Sequence, residues 1–251
     1  MSAPKIRIKG LTKRFGDVTA IEGVDLEVAE NEFVSIVGAS GCGKSTLLSV
    51  IAGLDDASDG QILVGGEEVT GPGRDRGVVF QQATLMPWLT VQRNVEFALR
   101  GESLNKAERA DRAREFLGLV GLDGFEGAYP AQLSGGMQQR VALARSLSYG
   151  PEVLLMDEPF GALDALTRRT MQELLIEIWE RHRLTVLLVT HDIDEAVLTS
   201  DRVVVMSPRP GRVLREIDVP IHRPRTREDA ERPEFRERSR EILGLIHTVG
   251  A

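Results

Sequence analysis

The chain has 251 residues, 42% of them hydrophobic, with 31 lysines and arginines against 38 aspartates and glutamates, a formal charge of -7. That length buries a sizeable core, as one large domain or a core with an inserted subdomain, and the acidic balance argues against a general phosphate-backbone binder, so no nucleic-acid partner is expected. No run approaches the ~18 consecutive apolar residues that span a bilayer, and the N-terminal "MSAPKIRIKGLTKRFG" lacks an apolar signal region; with a single cysteine, Cys42, the chain is expected in a reducing cytoplasm.

The first element with chemical content is "NEFVSIVG" (31–38), a short apolar run ending at Gly38, followed by "KSTLLSVIAGL" (44–54), where apolar residues return at helical spacing. Strand, glycine-rich loop and helix are predicted. Gly38 to Ser45 match G-x-x-x-x-G-K-[ST], a pattern in which bare glycine backbone turns its N–H groups toward an anion at a helix N-terminus. Lys44 is expected to reach the β- and γ-phosphates of a nucleoside triphosphate and Ser45 to offer a hydroxyl to Mg²⁺, while Cys42 fills loop space. Further along, "YPAQLSGGMQQRVALARSL" (129–147) places Ser134 as an N-cap before a helical run, with Gly135 and Gly136 leaving the backbone open, so a second helix start faces an anion. "PEVLLMDEP" (151–159) is an apolar strand closed by Asp157 and Glu158; alternation along a strand would turn the two carboxylates different ways, Asp157 to metal and Glu158 to the attacking water. Apolar segments at 33–37, 62–64, 78–80, 153–156 and 185–189 alternate with helical patterns and predict an α/β fold with a mostly parallel sheet.

The string around Ser134 resembles the signature of the ATP-binding-cassette (ABC) family, and nearly the whole chain follows that family's motif order. By this resemblance Gly38, Ser40, Gly41, Cys42, Gly43, Lys44, Ser45 and Thr46 belong to the Walker A loop that binds ATP, and Leu154–Glu158 is the Walker B strand. Gln81 of "VVFQQ" is the Q-loop glutamine near metal and water, Asp164 of "GALDA" the D-loop acid, His191 of "LLVTHD" the switch histidine, and Phe15 the aromatic that stacks on adenine. Met137 stands where the family most often has glutamine. The resemblance implies a P-loop core with an N-terminal antiparallel β region, over residues 1–220, an inserted helical subdomain at about 85–150, and a partly helical tail from 221 to 251.

It further implies ATP and Mg²⁺ as cofactors, a head-to-tail pair of cassettes in which Ser134–Gly136 of one closes on the ATP of the other, and a peripheral place on the cytoplasmic face of the membrane. Permease subunits would dock on the helical subdomain and Q-loop, with a solute-binding protein as an indirect partner. Met86, Pro87, Trp88 and Leu89 form a candidate apolar contact patch, with Trp88 fitting the core equally well. "GPGRDRGVVFQQATLMPWLTV" and "MDEPFGALDALTR" resemble the nitrate, sulfonate and taurine importer branch. The alternatives are a cassette for another solute class and a soluble cassette acting on nucleic acid or the ribosome. Coiled-coil insertions, cysteine sets or basic patches would mark the latter. The tail from Arg223 to Glu241, with seven arginines and six acids, reads as a solvated or loosely helical face.

Overall fold

The computed structural model describes residues 3–223 and 225–249. In chain order the strands and helices are β1 (Ile6–Phe15), β2 (Val18–Val28), β3 (Phe33–Gly38), α1 (Lys44–Ile51), β4 (Asp59–Val64), β5 (Glu67–Glu68), β6 (Arg76–Val79), α2 (Val91–Ala98), α3 (Lys106–Leu119) and α4 (Gly135–Leu147). They continue with β7 (Val153–Asp157), α5 (Ala165–His182), β8 (Thr185–Val189), α6 (Ile193–Thr199), β9 (Arg202–Met206), β10 (Val213–Asp218) and α7 (Pro233–Val249). Two compact units divide them: one holds the residues up to Gly73 and those from His182 onward, the other Arg74 to Arg181.

In the first unit β3 is the central strand, paired in parallel with β8 on one side and β9 on the other. A strand covered on both faces should be apolar throughout, and all six residues of β3 and all five of β8 are buried. β10 joins antiparallel to β9. A separate antiparallel sheet runs β2-β1-β4-β5.

The 62–64 segment, expected in the parallel sheet, lies in β4 of this antiparallel sheet, where Ile8 pairs with Ile62 and Ile6 with Val64. Three apolar residues carry no information on strand direction. The parallel position next to β3 belongs instead to "RVVVM", β9, with Val203, Val204 and Val205 fully buried.

The tail is helical over Pro233–Val249 with most of its described charges exposed, as expected, but it is anchored as well: Phe235 and Ile242 are buried, and so are Arg225 and Asp229. Arg225 donates to the carbonyls of Val197 and Ser200 at the end of α6, and to those of Val219 and Ile221. Arg223 donates to the Thr199 carbonyl and to Asp201. Two guanidinium groups thereby serve the carbonyls of Val197 and Thr199 in the last turn of α6, where carbonyls lack an intrahelical partner.

The second unit packs α2, α3 and α4 on one another and pairs β6 with β7 in parallel. Asn105 begins α3 with a reciprocal capping box to Glu108. Asn94, fully buried in α2, donates its amide to the carbonyls of Met86, Leu89 and Thr90 and accepts from the Met86 N–H. The loop 86–90 is thus folded around one side chain, with Trp88 at its tip 72% exposed, which settles the choice between core and surface for that tryptophan.

Candidate functional site

Two segments of the first unit leave the sheet at the carboxyl ends of β3 and β8. The strands run parallel with Ile36 beside Val189, and the Thr190 N–H donates to the Ile36 carbonyl, so the loop after Gly38 and the segment carrying His191 leave the sheet at one edge. Ligands of open α/β sheets bind outside that edge.

The loop is shaped by glycine where nothing else fits. Gly41 and Gly43 have φ of +74° and +101°, and a Cβ at Gly43 would stand 2.8 Å from the Ala20 carbonyl oxygen. A Cβ at Gly38 would stand 2.9 Å from the Met206 carbonyl oxygen. The chain then enters α1 at Lys44, so Ser45 and Thr46 fall in the first turn, where helical N–H groups have no intrahelical acceptor.

Lys44 is buried, and its Nζ donates to the carbonyls of Gly38 (2.9 Å) and Ala39 (3.1 Å) with the Cys42 Sγ at 3.8 Å. Cys42 is buried as loop filling. Ser40, Gly41 and Ser45 are exposed. Arg209, not singled out from sequence, donates to the Gly41 carbonyl. Phe15 sits at the β1–β2 turn, half exposed, with the Lys13 ammonium 4.8 Å from its ring; β2 of the same hairpin backs Gly43 through Ala20 and Ile21. His191 is exposed between β8 and α6, and Asp192 after it caps α6 by accepting from the Glu195 N–H.

The second unit gathers the remaining residues in two groups. β7 ends at Asp157, and Glu158 lies beyond it with φ +44°. Strand alternation therefore does not extend to Glu158, which lies past the strand end, where a left-handed backbone and not the pleat sets its direction. A Cβ on Gly161 would stand 3.3 Å from Gln81 Nε2 and 3.7 Å from Glu158 Oε2, so both side chains border Gly161, a glycine that leaves room for them.

The other group is the start of α4. Ser134 caps it, accepting from the Met137 N–H, with Ser134 and Gly135 exposed and Gly136 buried. A Cβ at Gly136 would stand 2.2 Å from Thr167 Cγ2, so this helix start lies against the segment that follows Asp164. The Asp164 carboxylate accepts from the N–H groups of Thr167 and Leu166 and from the Thr167 hydroxyl. Those bonds, the Thr167 N–H foremost, hold its pKa below the ordinary carboxylate value.

A glycine cradle on a parallel sheet edge with a buried lysine, together with an acidic strand end and a second exposed helix start, defines a P-loop nucleotide-binding protein. The chain belongs to the ABC transporter family, whose model matches residues 21–161. It is 50% identical to the nitrate import ATP-binding protein of Synechocystis over 92% of this chain and 89% of that protein. To the taurine import ATP-binding protein of Rhizobium johnstonii it is 49% identical, over 94% and 92% of the two chains. Among solved structures it is similar to a dimeric ATP-binding cassette in a post-hydrolysis state bound to ADP and Pi, with a TM-score of 0.76, 37% identity, and 86% of this chain and all of that one covered. No helix among the described residues is long and apolar enough to cross a membrane.

Proposed function

We propose that this chain is the ATP-hydrolysing subunit of an importer for a small anionic solute of the nitrate, sulfonate or taurine kind, peripheral on the cytoplasmic face of the membrane. The observation that carries the reading is the Gly38–Ser45 cradle, whose positive-φ glycines and capped-in Lys44 suit a triphosphate. In it Lys44 exchanges its two carbonyl partners for phosphate oxygens, and the first N–H groups of α1 add the helix-end partial charge. Gly38, Ser40, Gly41, Cys42, Gly43 and Thr46 shape the loop, and Phe15 supports the base. Ser45, Asp157 and Gln81 offer hydroxyl, carboxylate and amide oxygens, the hard donors that Mg²⁺ takes. When bound, that ion neutralises charge on the phosphates. Glu158 accepts a proton from the attacking water, and Gln81 and His191 orient the reacting groups.

Ser134, Gly135, Gly136 and Asp164 serve a second copy of the chain, their exposed helix start closing on its nucleotide. ATP then favours the closed pair and hydrolysis reopens it. The segment from about 85 to 150 serves as a helical subdomain within a single ATPase domain (1–220), with the residues from 221 on as its tail. The exposed Trp88, held out by the Asn94 bonds, is the centre of the permease-facing patch, and a solute-binding protein acts only through that permease.

Growth of the source organism on taurine, alkanesulfonates or nitrate, with and without the gene, tests the reading. Loss of growth on one class, restored by the wild-type gene and not by Lys44→Ala, is the expected result. Unchanged growth on all of them removes the assignment to this solute class.

A further inference from the structure

β6 pairs with β7 on one side and with no other strand among the described residues. Its outward carbonyls therefore need donors from elsewhere, and α4 supplies them in series. Tyr149, just past that helix, donates from its hydroxyl to the Arg76 carbonyl at 3.2 Å, and Ser146 Oγ donates to Val78 at 2.7 Å. Gln139 Nε2 donates to Phe80 at 2.9 Å and to Gln81 at 3.1 Å. Arg145 donates to the carbonyls of Ala83 and Thr84. Helix and strand are in backbone contact as well, since a Cβ on Gly77 would stand 2.9 Å from the Ser146 carbonyl oxygen.

Gln139 does more than continue the series. The same Nε2 donates to the Pro159 carbonyl at 2.7 Å, next to Glu158, so one amide with two N–H groups serves three carbonyls from two separate segments. All three neighbours are acceptors, which dictates the amide's orientation. The side chain is 4% exposed, and its Oε1 is buried with no hydrogen-bond partner among the described residues. A buried acceptor left unpaired is destabilising; a leucine would remove that acceptor but take this donor from three carbonyls, so what the glutamine supplies is the link between the Gln81 and Pro159 backbones.

We propose that Gln139 is a positioning residue for hydrolysis: it ties the carbonyl of Gln81 to that of Pro159 and so sets the Gln81 and Glu158 side chains against each other, while Arg145 fixes the far end of the same loop. The helix that begins at Ser134–Gly136 thereby carries its own position directly into the backbone of both reacting segments. The inference rests on the roles proposed for Gln81 and Glu158.

The test compares purified wild type with Gln139→Leu, Gln139→Glu and Arg145→Met, reading ATP turnover with Mg²⁺, binding of a fluorescent ATP analogue, and amide hydrogen exchange over residues 80–86. Gln139→Leu is expected to keep nucleotide affinity within about twofold, to lose about tenfold or more in kcat as expected for a small misplacement of reacting groups, and to exchange faster at 80–86. Gln139→Glu retains a donor only while protonated, and burial against three carbonyls favours that form. Its turnover should fall as pH rises from about 6 to 8.5, with a slope absent from wild type and from the leucine variant. Wild-type kcat and exchange in Gln139→Leu, or a Gln139→Glu profile parallel to wild type, overturns the proposal. If the leucine variant does not fold, the pH slope of Gln139→Glu and faster exchange at 83–84 in Arg145→Met decide it. Absence of turnover in wild type would refute the functional reading instead, and the exchange data would still decide whether Gln139 holds the loop.

Discussion

Gly43 joins β2 to the phosphate cradle at van der Waals limits. Its φ of +101° lies outside the range that side chains adopt readily, and a methyl group there would collide with the Ala20 carbonyl. Gly43→Ala is expected to cost about 1–3 kcal/mol in strain and, because the loop must open to relieve it, to weaken ATP binding by more than about tenfold. Thermal melting and fluorescent-nucleotide titration measure the two effects separately. This residue was legible because a motif states its backbone requirement, and so were Lys44, Ser134 and Asp157. Glu158 was placed by type but not by conformation: a carboxylate at a strand end gives no sign that its φ is positive. Gln139 was quoted within the signature string yet not recognised, since its partners lie 58, 59 and 20 residues away and nothing in "MQQR" distinguishes a solvent-facing glutamine from one that gathers three carbonyls.

At the scale of elements, the short helix α6 depends on the tail. Arg225 brings donors to four carbonyls, and Arg225→Met would leave them buried and unpaired. A loss of about 3 kcal/mol in unfolding free energy is expected, on the order found when a buried charged donor is removed, and urea denaturation would show it. Burial lowers the Arg225 pKa from its ordinary value to about 10. Both folded and unfolded chains hold the proton below that value, so the burial penalty is fully present at neutral pH and is relieved only as pH rises above about 10. The difference between wild type and Arg225→Met should therefore be constant from about pH 6 to 9. Composition conveyed the exposed helix but not the anchor, because a near-equal mixture of arginines and acids describes a solvated helix as well as an anchored one; the deciding feature is the proximity of α6, which sequence does not display. β4 was misassigned for a related reason: strand direction is a property of the partner, and "ILV" is as suited to an antiparallel edge as to a parallel core.

Across the whole molecule, the residues proposed to act on nucleotide fall in two compact units, the Gly38–Ser45 loop and His191 in one and the α4 start with Gln81, Glu158 and Asp164 in the other. Under the proposed function, the exposed Ser134–Gly135 helix start is offered to the nucleotide of a second copy. Binding that is completed only across a pair makes association depend on nucleotide. The measurement that tests this most directly is sedimentation velocity of Glu158→Gln with Mg-ATP, with Mg-ADP and without nucleotide. A dimer with Mg-ATP alone, abolished when Ser134→Arg is added, is the predicted result; a monomer at every ATP concentration, with nucleotide bound, would contradict the account.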